Sequence, residues 1–306
     1  MSNSVDSSQK ITIPLLLERK QKRQKITMLT AYDYPSASLL DRSQVDIVLI
    51  GDSLSMVVLG HDSTLPVGME EMLHHAKAVA RGCRRALVVG DMPYGSYQNG
   101  ISHAIDNGLR FIKEGGCAAV KLEGGKQRAG IIAAMVAAEI PVMGHVGMTP
   151  QSMHRFGGFK LQGKSADAAI ALMEDAFAVQ EAGAFGVVLE SIPYPVAAEI
   201  TRRLKIPTIG IGAGPRCDGQ VLVWHDYLGL YDAKPAKFVK RYANLYPAIL
   251  EATNRFCEEV KNGLYPDVQH SYNVPDGEKL ADRIEEVYGN HSADPSNEGD
   301  LQKAKI

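Results

Sequence analysis

The stretch Val45–Ser53, VDIVLIGDS, is a run of branched apolar residues that stops abruptly at Gly-Asp-Ser. A run this short and this apolar reads as a strand buried on both faces. A carboxylate and a hydroxyl then stand where the strand leaves the core. The same pattern returns along the chain. Arg85–Pro93 is RALVVGDMP, Ala118–Gly125 is AAVKLEGG, Ile140–Gly147 is IPVMGHVG and Phe185–Pro193 is FGVVLESIP. Each strand delivers a polar side chain at its carboxyl end.

Helical patterns alternate with these strands. Lys25–Asp33, KITMLTAYD, is the first strand, and Tyr34–Arg42 follows with helical spacing and Pro35 in the favoured first turn. Helices are expected over Gly68–Arg81, Ser102–Glu114, Gln127–Ala138, Ala166–Ala182 and Pro195–Leu204. Ile206–Gly214 and Gln220–Leu230 read as strands seven and eight, and Lys237–Val260 as a closing helix. Ile11–Lys25 reads as a short amphipathic helix under the bottom of a barrel. Leu54–Val67 and Met148–Lys164 are too long and too rich in Gly and polar residues for plain connections.

Eight strand–helix units over about 240 residues predict an α/β fold, a (β/α)8 TIM barrel. The alternative is an open doubly wound sheet. The count of eight favours the barrel, as do polar ends spread over strands one to six. In a barrel those ends converge on one mouth. Residues 1–10 are polar and Ser-rich and read as a disordered N-terminus. Residues 11–272 read as a single barrel domain. Residues 273–306 read as a charged, mobile extension, with Arg283–Tyr288 as a possible helical piece.

Composition narrows the function. A chain of 306 residues with 45% hydrophobic residues can bury a large core, and a net charge of -2 offers no nucleic-acid surface. The basic run Arg19–Lys25 reads as a solvated helix face. Cys83, Cys117, Cys217 and Cys257 lie far apart, which fits reduced thiols in a cytosolic protein better than disulfides or a zinc site. The N-terminus has no apolar signal core, and its Lys and Arg come late for a transit peptide. No segment is long and apolar enough for a bilayer.

Asp52, Asp91 and Glu123 close three adjacent strands. Three carboxylates at one rim repel one another unless a positive group sits between them. Hard oxygen ligands without companion cysteines fit Mg²⁺. Helix capping or pairing with Arg is the blander reading for any one of them. Lys121 stands two residues before Glu123, so the two share one face of the strand. A buried ammonium there needs a carboxylate partner or an anionic ligand. Glu190 ends strand six, where partial burial would raise its pKa toward that of a usable base; its alternative role is a helix cap. His145 reads equally as a satisfied core residue or as a metal or substrate contact. Ser53 has no His–Asp relay and reads as a hydrogen-bond donor.

Three features are weaker signals. GIGAG at Gly210–Gly214 resembles a dinucleotide loop but lies late and lacks its acidic partner, so tight packing or an anion contact fits better. His74 and His75 lack a zinc-binding arrangement. Trp224 reads as a packing residue on strand eight.

Several blocks carry a specific resemblance. They are TAYDYPSA at Thr30–Ala37, GDSLSMVVLGHDSTLPV at Gly51–Val67 and VKLEGG at Val120–Gly125. GHVGMTPQS at Gly144–Ser152, FGGFKLQG at Phe156–Gly163 and GIGAGPRCDGQVLVWHDYLG at Gly210–Gly229 complete the set. In this order the chain resembles the ketopantoate hydroxymethyltransferase family from about Ile11 to about Tyr265. The resemblance implies a barrel of the phosphoenolpyruvate/pyruvate-binding type, usually a homodecamer. It implies transfer of a one-carbon unit from 5,10-methylenetetrahydrofolate to 3-methyl-2-oxobutanoate through an enolate stabilised by Mg²⁺. Asp52 and Asp91 match Mg²⁺ ligands, and Glu123 a third metal-site carboxylate. Asp52, Ser53, Asp91 and Lys121 match keto-acid contacts, and Glu190 the proton acceptor. Gly68-Met69 and Met148 depart from commoner forms without touching these roles.

The loops Leu54–Val67 and Met148–Lys164 are expected to cover the site. Two competing readings are a Mg²⁺-dependent lyase or mutase of the same barrel group, and a non-catalytic assembly protein. Many such lyases use a loop cysteine as acid, and no Cys here follows that pattern. The intact set of carboxylates, Lys and Glu argues against a decayed site.

Overall fold

The architecture is that of a computed structural model, which describes residues 9–158, 160–275 and 277–289. Eight parallel strands close on themselves in chain order. They are β1 Ile26–Thr30, β2 Ile47–Ile50, β3 Leu87–Asp91, β4 Ala119–Glu123, β5 Val142–Gly147, β6 Gly186–Glu190, β7 Thr208–Ile211 and β8 Gly219–Leu222. The closing pair aligns Met28 of β1 with Val221 of β8, which excludes the open sheet.

Two buried layers follow from the period of two along each strand. Met28, Ile47, Leu49, Leu87, Val89, Ala119, Met143 and Val188 fill the barrel interior. Val48, Val88, Val120, Leu122, Val187 and Leu189 point outward, packing with Ala76, Phe111, Ile132, Val179 and Ile200. Strands β2 to β6, buried on both faces, are therefore apolar up to their carboxyl ends, while β1 and β8 carry exposed Thr27 and Gln220. The fit between layers is close at β3. A Cβ on Gly90 would lie 2.4 Å from the Phe111 ring, and overpacking of this kind costs about 1–3 kcal/mol.

The opening helix Ile13–Gln21 starts at Thr12, whose side chain accepts from Leu15 N, with Pro14 in the first turn. Its Leu16, with Ile11 before it, joins the interior cluster, as expected of a bottom plug. The basic run on this helix departs from the expected solvated face. Arg19 is buried and pairs with Asp46 at 2.6 Å. Lys20 reaches Asp218 Oδ2 at 2.7 Å and the Thr201 carbonyl at 2.6 Å. Asp46 and Asp218 precede β2 and β8, so acids at the strand starts draw these cations inward.

Strand eight is also shorter than expected. It stops at Leu222, and Trp224–Leu228 is a short helix ended by Gly229 in the left-handed region, at φ 61°. Trp224 is thus not on the strand; its N–H donates to Thr30 Oγ1 at 2.9 Å. The apolar run VLVW crosses this boundary, and periodicity cannot separate strand from helix over so few residues.

The two long loops carry structure of their own, including a short helix Leu54–Val57 in the first and Met153–Phe156 in the second. One compact unit ends at Tyr246, and a second begins at Pro247. The second holds most of helix Leu245–Lys261 and, further on, helix Gly277–Tyr288, which begins earlier than the expected Arg283. Most of the proposed disordered N-terminus, residues 1–8, and the end of the extension, residues 290–306, lie outside the described residues. No described helix is long and apolar enough to cross a membrane.

Candidate active site

The interior faces of β3 to β6 run up from apolar residues to a polar one. Val89 leads to Asp91, Ala119 to Lys121 and Glu123, Met143 to His145, and Val188 to Glu190. Asp52 follows β2 after Gly51. All these side chains are buried apart from Glu190, whose side chain is 15% exposed.

Lys121 and Asp91 form the centre of the cup. The ammonium donates to Asp91 Oδ1 at 2.6 Å and Oδ2 at 2.7 Å. The Asp52 backbone N–H points at the same Asp91 Oδ2, 3.3 Å away. Opposite stands His145. Its Nε2 lies 3.2 Å from Glu190 Oε2 and its Nδ1 lies 3.6 Å from Glu123 Oε1. Each ring nitrogen faces a carboxyl without a well-aligned hydrogen bond to it, the Met148 backbone lies within the ring's reach, and Glu123 Oε1 has no partner. Ser53 turns its hydroxyl to Tyr32 Oη at 2.8 Å, as a hydrogen-bonding group with no relay behind it.

Burial sets the charge states. Asp52 is pushed up to about 7 by desolvation and then by the Asp91 charge, against the pull of Lys121. Glu190 is pushed up to about 8, mainly by desolvation. Glu123 rises well above the usual carboxylate range through burial and the nearby Asp52. Burial and the Lys121 charge hold His145 well below its ordinary value, so the ring is neutral. Desolvation pulls Lys121 down, but Asp91, Asp52 and Glu123 outweigh it and keep the ammonium charged.

One residue at the centre of this network escaped the sequence reading. Gln151, from the loop after β5, is buried. Its Nε2 donates to Asp52 Oδ2 and to the Met92 carbonyl, each at 2.9 Å. Its backbone N–H donates to Glu123 Oε2 at 3.0 Å. Its Oε1 accepts from Tyr97 Oη at 2.5 Å, and Tyr97 Oη accepts from the Glu123 N–H at 3.2 Å. Gln151 thus ties the ends of β2, β3 and β4 together. Its sequence signals were a place in the GHVGMTPQS block, with no role attached, and a position after Thr-Pro in a loop too long for a connection.

The donor set suits a hard divalent cation. Asp52 and Asp91 stand side by side, close enough to raise the Asp52 pKa, and Glu123 keeps one buried oxygen without a partner. Among the described residues no group of three or more His, Cys, Asp or Glu forms a ready metal cage.

The weaker signals settle into packing. Gly214 has φ 79°, and a Cβ there would lie 2.4 Å from Tyr194 Cβ, so GIGAG is a close-packed corner. His75 Nδ1 lies 2.6 Å from the Tyr32 carbonyl, a structural contact.

A closed (β/α)8 barrel with charged and raised-pKa side chains gathered at its carboxyl-end mouth defines a barrel of the enzyme class. Its fold is shared with solved phosphonopyruvate hydrolase (TM-score 0.56, 14% identity, 91% of this chain and 99% of that one). It is also shared with 2,3-dimethylmalate lyase of the PEP mutase/isocitrate lyase superfamily (TM-score 0.55, 14% identity, covering 90% and 96%). Identity this low speaks for the fold alone. The family profile of ketopantoate hydroxymethyltransferase matches residues 10–268, and the chain belongs to that family. The 3-methyl-2-oxobutanoate hydroxymethyltransferase of Pelobacter propionicus is 55% identical over 268 residues, 88% of this chain and 99% of that one. That of Syntrophobacter fumaroxidans is 57% identical over 265 residues, covering 87% and 94%.

Proposed function

We propose that the protein moves a hydroxymethyl group from 5,10-methylenetetrahydrofolate to 3-methyl-2-oxobutanoate. The product is 2-dehydropantoate, on the route to pantothenate and coenzyme A. Family membership supports the reaction. The observation that carries it to this chain is Glu190, a carboxyl with its pKa raised to about 8 at the mouth that holds Lys121 and Asp91.

Lys121, charged and buried, holds the keto-acid carboxylate, with Ser53 and the Asp52–Asp91 edge completing the contact. Asp52 and Asp91 would hold Mg²⁺, with Glu123 as the third carboxylate of the metal site. When bound, the ion would supply Lewis-acid polarisation of the ketone oxygen and so acidify the neighbouring C3–H. Glu190 takes the C3 proton. The electron pair left on C3 forms a carbon–carbon bond to the donor's methylene carbon as one of that carbon's two C–N bonds breaks and the freed nitrogen takes a proton. Water then displaces the second nitrogen, supplying the hydroxyl and passing its other proton to the departing tetrahydrofolate. The buried cup and the two long loops keep bulk water from the carbanionic stage.

The four free cysteines support a reducing compartment, and we place the protein in the cytosol. We read it as a homo-oligomer, a decamer by family resemblance. Ile249, Leu250, Phe256 and Val260 of helix Leu245–Lys261 are exposed apolar side chains that support association.

The test is turnover by the purified full chain with 3-methyl-2-oxobutanoate. Consumption that requires both the folate donor and Mg²⁺ is expected. Folate-independent cleavage of a phosphonopyruvate-type acid would instead make the protein a lyase of the same barrel group.

A further inference from the structure

A cavity of about 540 Å³ opens beside the acidic cup and reaches Glu123. This lies within the roughly 300–1,000 Å³ of small-molecule sites. Its buried end is formed by Glu123 and Tyr97, and its exposed end carries Arg155, His154 and Tyr94, with Arg128 half-buried between. A five-carbon keto acid cannot fill such a space, and Lys121 already offers its carboxylate a partner outside it.

The cations in this wall are unspent. Among the described residues neither Arg128 nor Arg155 has an acidic partner. Each guanidinium instead lies over a ring, Arg128 at 5.5 Å from the Tyr97 centroid and Arg155 at 5.8 Å from that of Phe156. Stacking fixes the plane of a guanidinium and leaves its N–H edge to a carboxylate. Tyr94 is 52% exposed and offers a free aromatic face. A cation at the outer end, a second stacked on Tyr97 at the inner end and an aromatic wall between them define an elongated ligand. It is planar and aromatic in its body, anionic at its tail, and reactive at the end nearest the cup.

We propose that this cavity is the site of the one-carbon donor, with the reduced pterin ring toward Glu123, Tyr97 and the Arg128 edge and the glutamyl carboxylates on Arg155. The assignment rests on the transferase reading above. It places the methylene carbon at the Glu123 end, where C3 of the keto acid is deprotonated. It also explains why two arginines near a strongly acidic cup carry no acid of their own.

The test uses the full chain with Mg²⁺ and tetrahydrofolate as the probe, in calorimetry. Arg155→Glu and Arg128→Gln should each weaken tetrahydrofolate binding about tenfold or more. In the same variants the affinity for 3-methyl-2-oxobutanoate should stay within about twofold, as should exchange of its C3 proton with deuterated water. Retained exchange also shows that the variants are folded. Unchanged tetrahydrofolate affinity in both variants overturns the assignment, as does an equal loss of keto-acid binding. If the wild-type protein exchanges the C3 proton while neither variant loses tetrahydrofolate affinity, the cavity assignment falls and the reaction stands. If the wild-type protein binds no tetrahydrofolate, the transferase reading falls with it.

Discussion

Lys121 places its ammonium 2.6 and 2.7 Å from the two oxygens of Asp91, and both side chains are buried at the top of adjacent strands. The pair neutralises one of several carboxyls crowded at the mouth. Removing the lysine leaves Asp91 facing Asp52 with no cation between. Lys121→Met should therefore lower the unfolding free energy by about 3–5 kcal/mol. Adding Asp91→Asn to that variant should recover a large part of the loss. Urea denaturation measures both; an unchanged midpoint in the single variant would reject the pair as a structural necessity.

Glu190→Gln should bind the keto acid normally and lose C3 proton exchange by about 10²-fold or more. The wild-type pH profile carries a second expectation. Burial disfavours the charged carboxyl and raises its pKa to about 8, so the proton-accepting form is scarce below that pH. Exchange should fall about tenfold per pH unit below 8 and level off above it. The stability sign follows from the same shift. The folded state keeps its Glu190 proton while the unfolded chain loses it above the ordinary carboxylate range. This contribution to stability is present at low pH, fades as pH rises toward 8, and is constant beyond. Proton exchange followed by NMR in deuterated water gives the profile; a rate independent of pH from 6 to 9 would argue for another base (about two decades are expected over the lower part of this range).

Asp91→Ala should weaken Mg²⁺ binding by at least about tenfold in calorimetry. The same titration on Asp52→Ala should give a comparable loss. Affinity equal to wild type in either variant removes that residue from the ligand set, and full catalysis in excess chelator removes the metal.

Gln151→Leu keeps most of the side-chain volume but deletes the donor to Asp52 Oδ2 and the acceptor for Tyr97 Oη. Buried polar atoms left without partners should cost about 1–3 kcal/mol. Thermal unfolding reads that cost. Because the clamp sets where Asp52 points, keto-acid affinity should drop in parallel, while Gln151→Glu, which offers acceptors where two N–H groups are needed, should do no better. A variant with wild-type affinity and melting temperature would show that β2, β3 and β4 hold their ends without it.

Much of the barrel was legible along the chain because doubly buried strands must be apolar until they emerge. Lys121 and Glu123 could be placed on one face because side chains alternate along β4. Other features were hidden for physical reasons. Gln151 lies in a loop, where no period marks which side chain turns inward. Trp224 follows an apolar run that continues across a strand–helix boundary. Arg19 and Lys20 read as solvated until the acids at the starts of β2 and β8 were seen beneath them.

The linear order of residues determined eight strands, the polar groups at the ends of the first six, and the family to which the blocks belong. Only the closed fold decided who faces whom: Lys121 on Asp91, His145 between Glu123 and Glu190, Gln151 across three strands. It also decided which carboxyls hold their protons. Charge–charge energy falls with distance and desolvation grows with burial, and neither exists for these groups until β1 pairs with β8 and closes the cup.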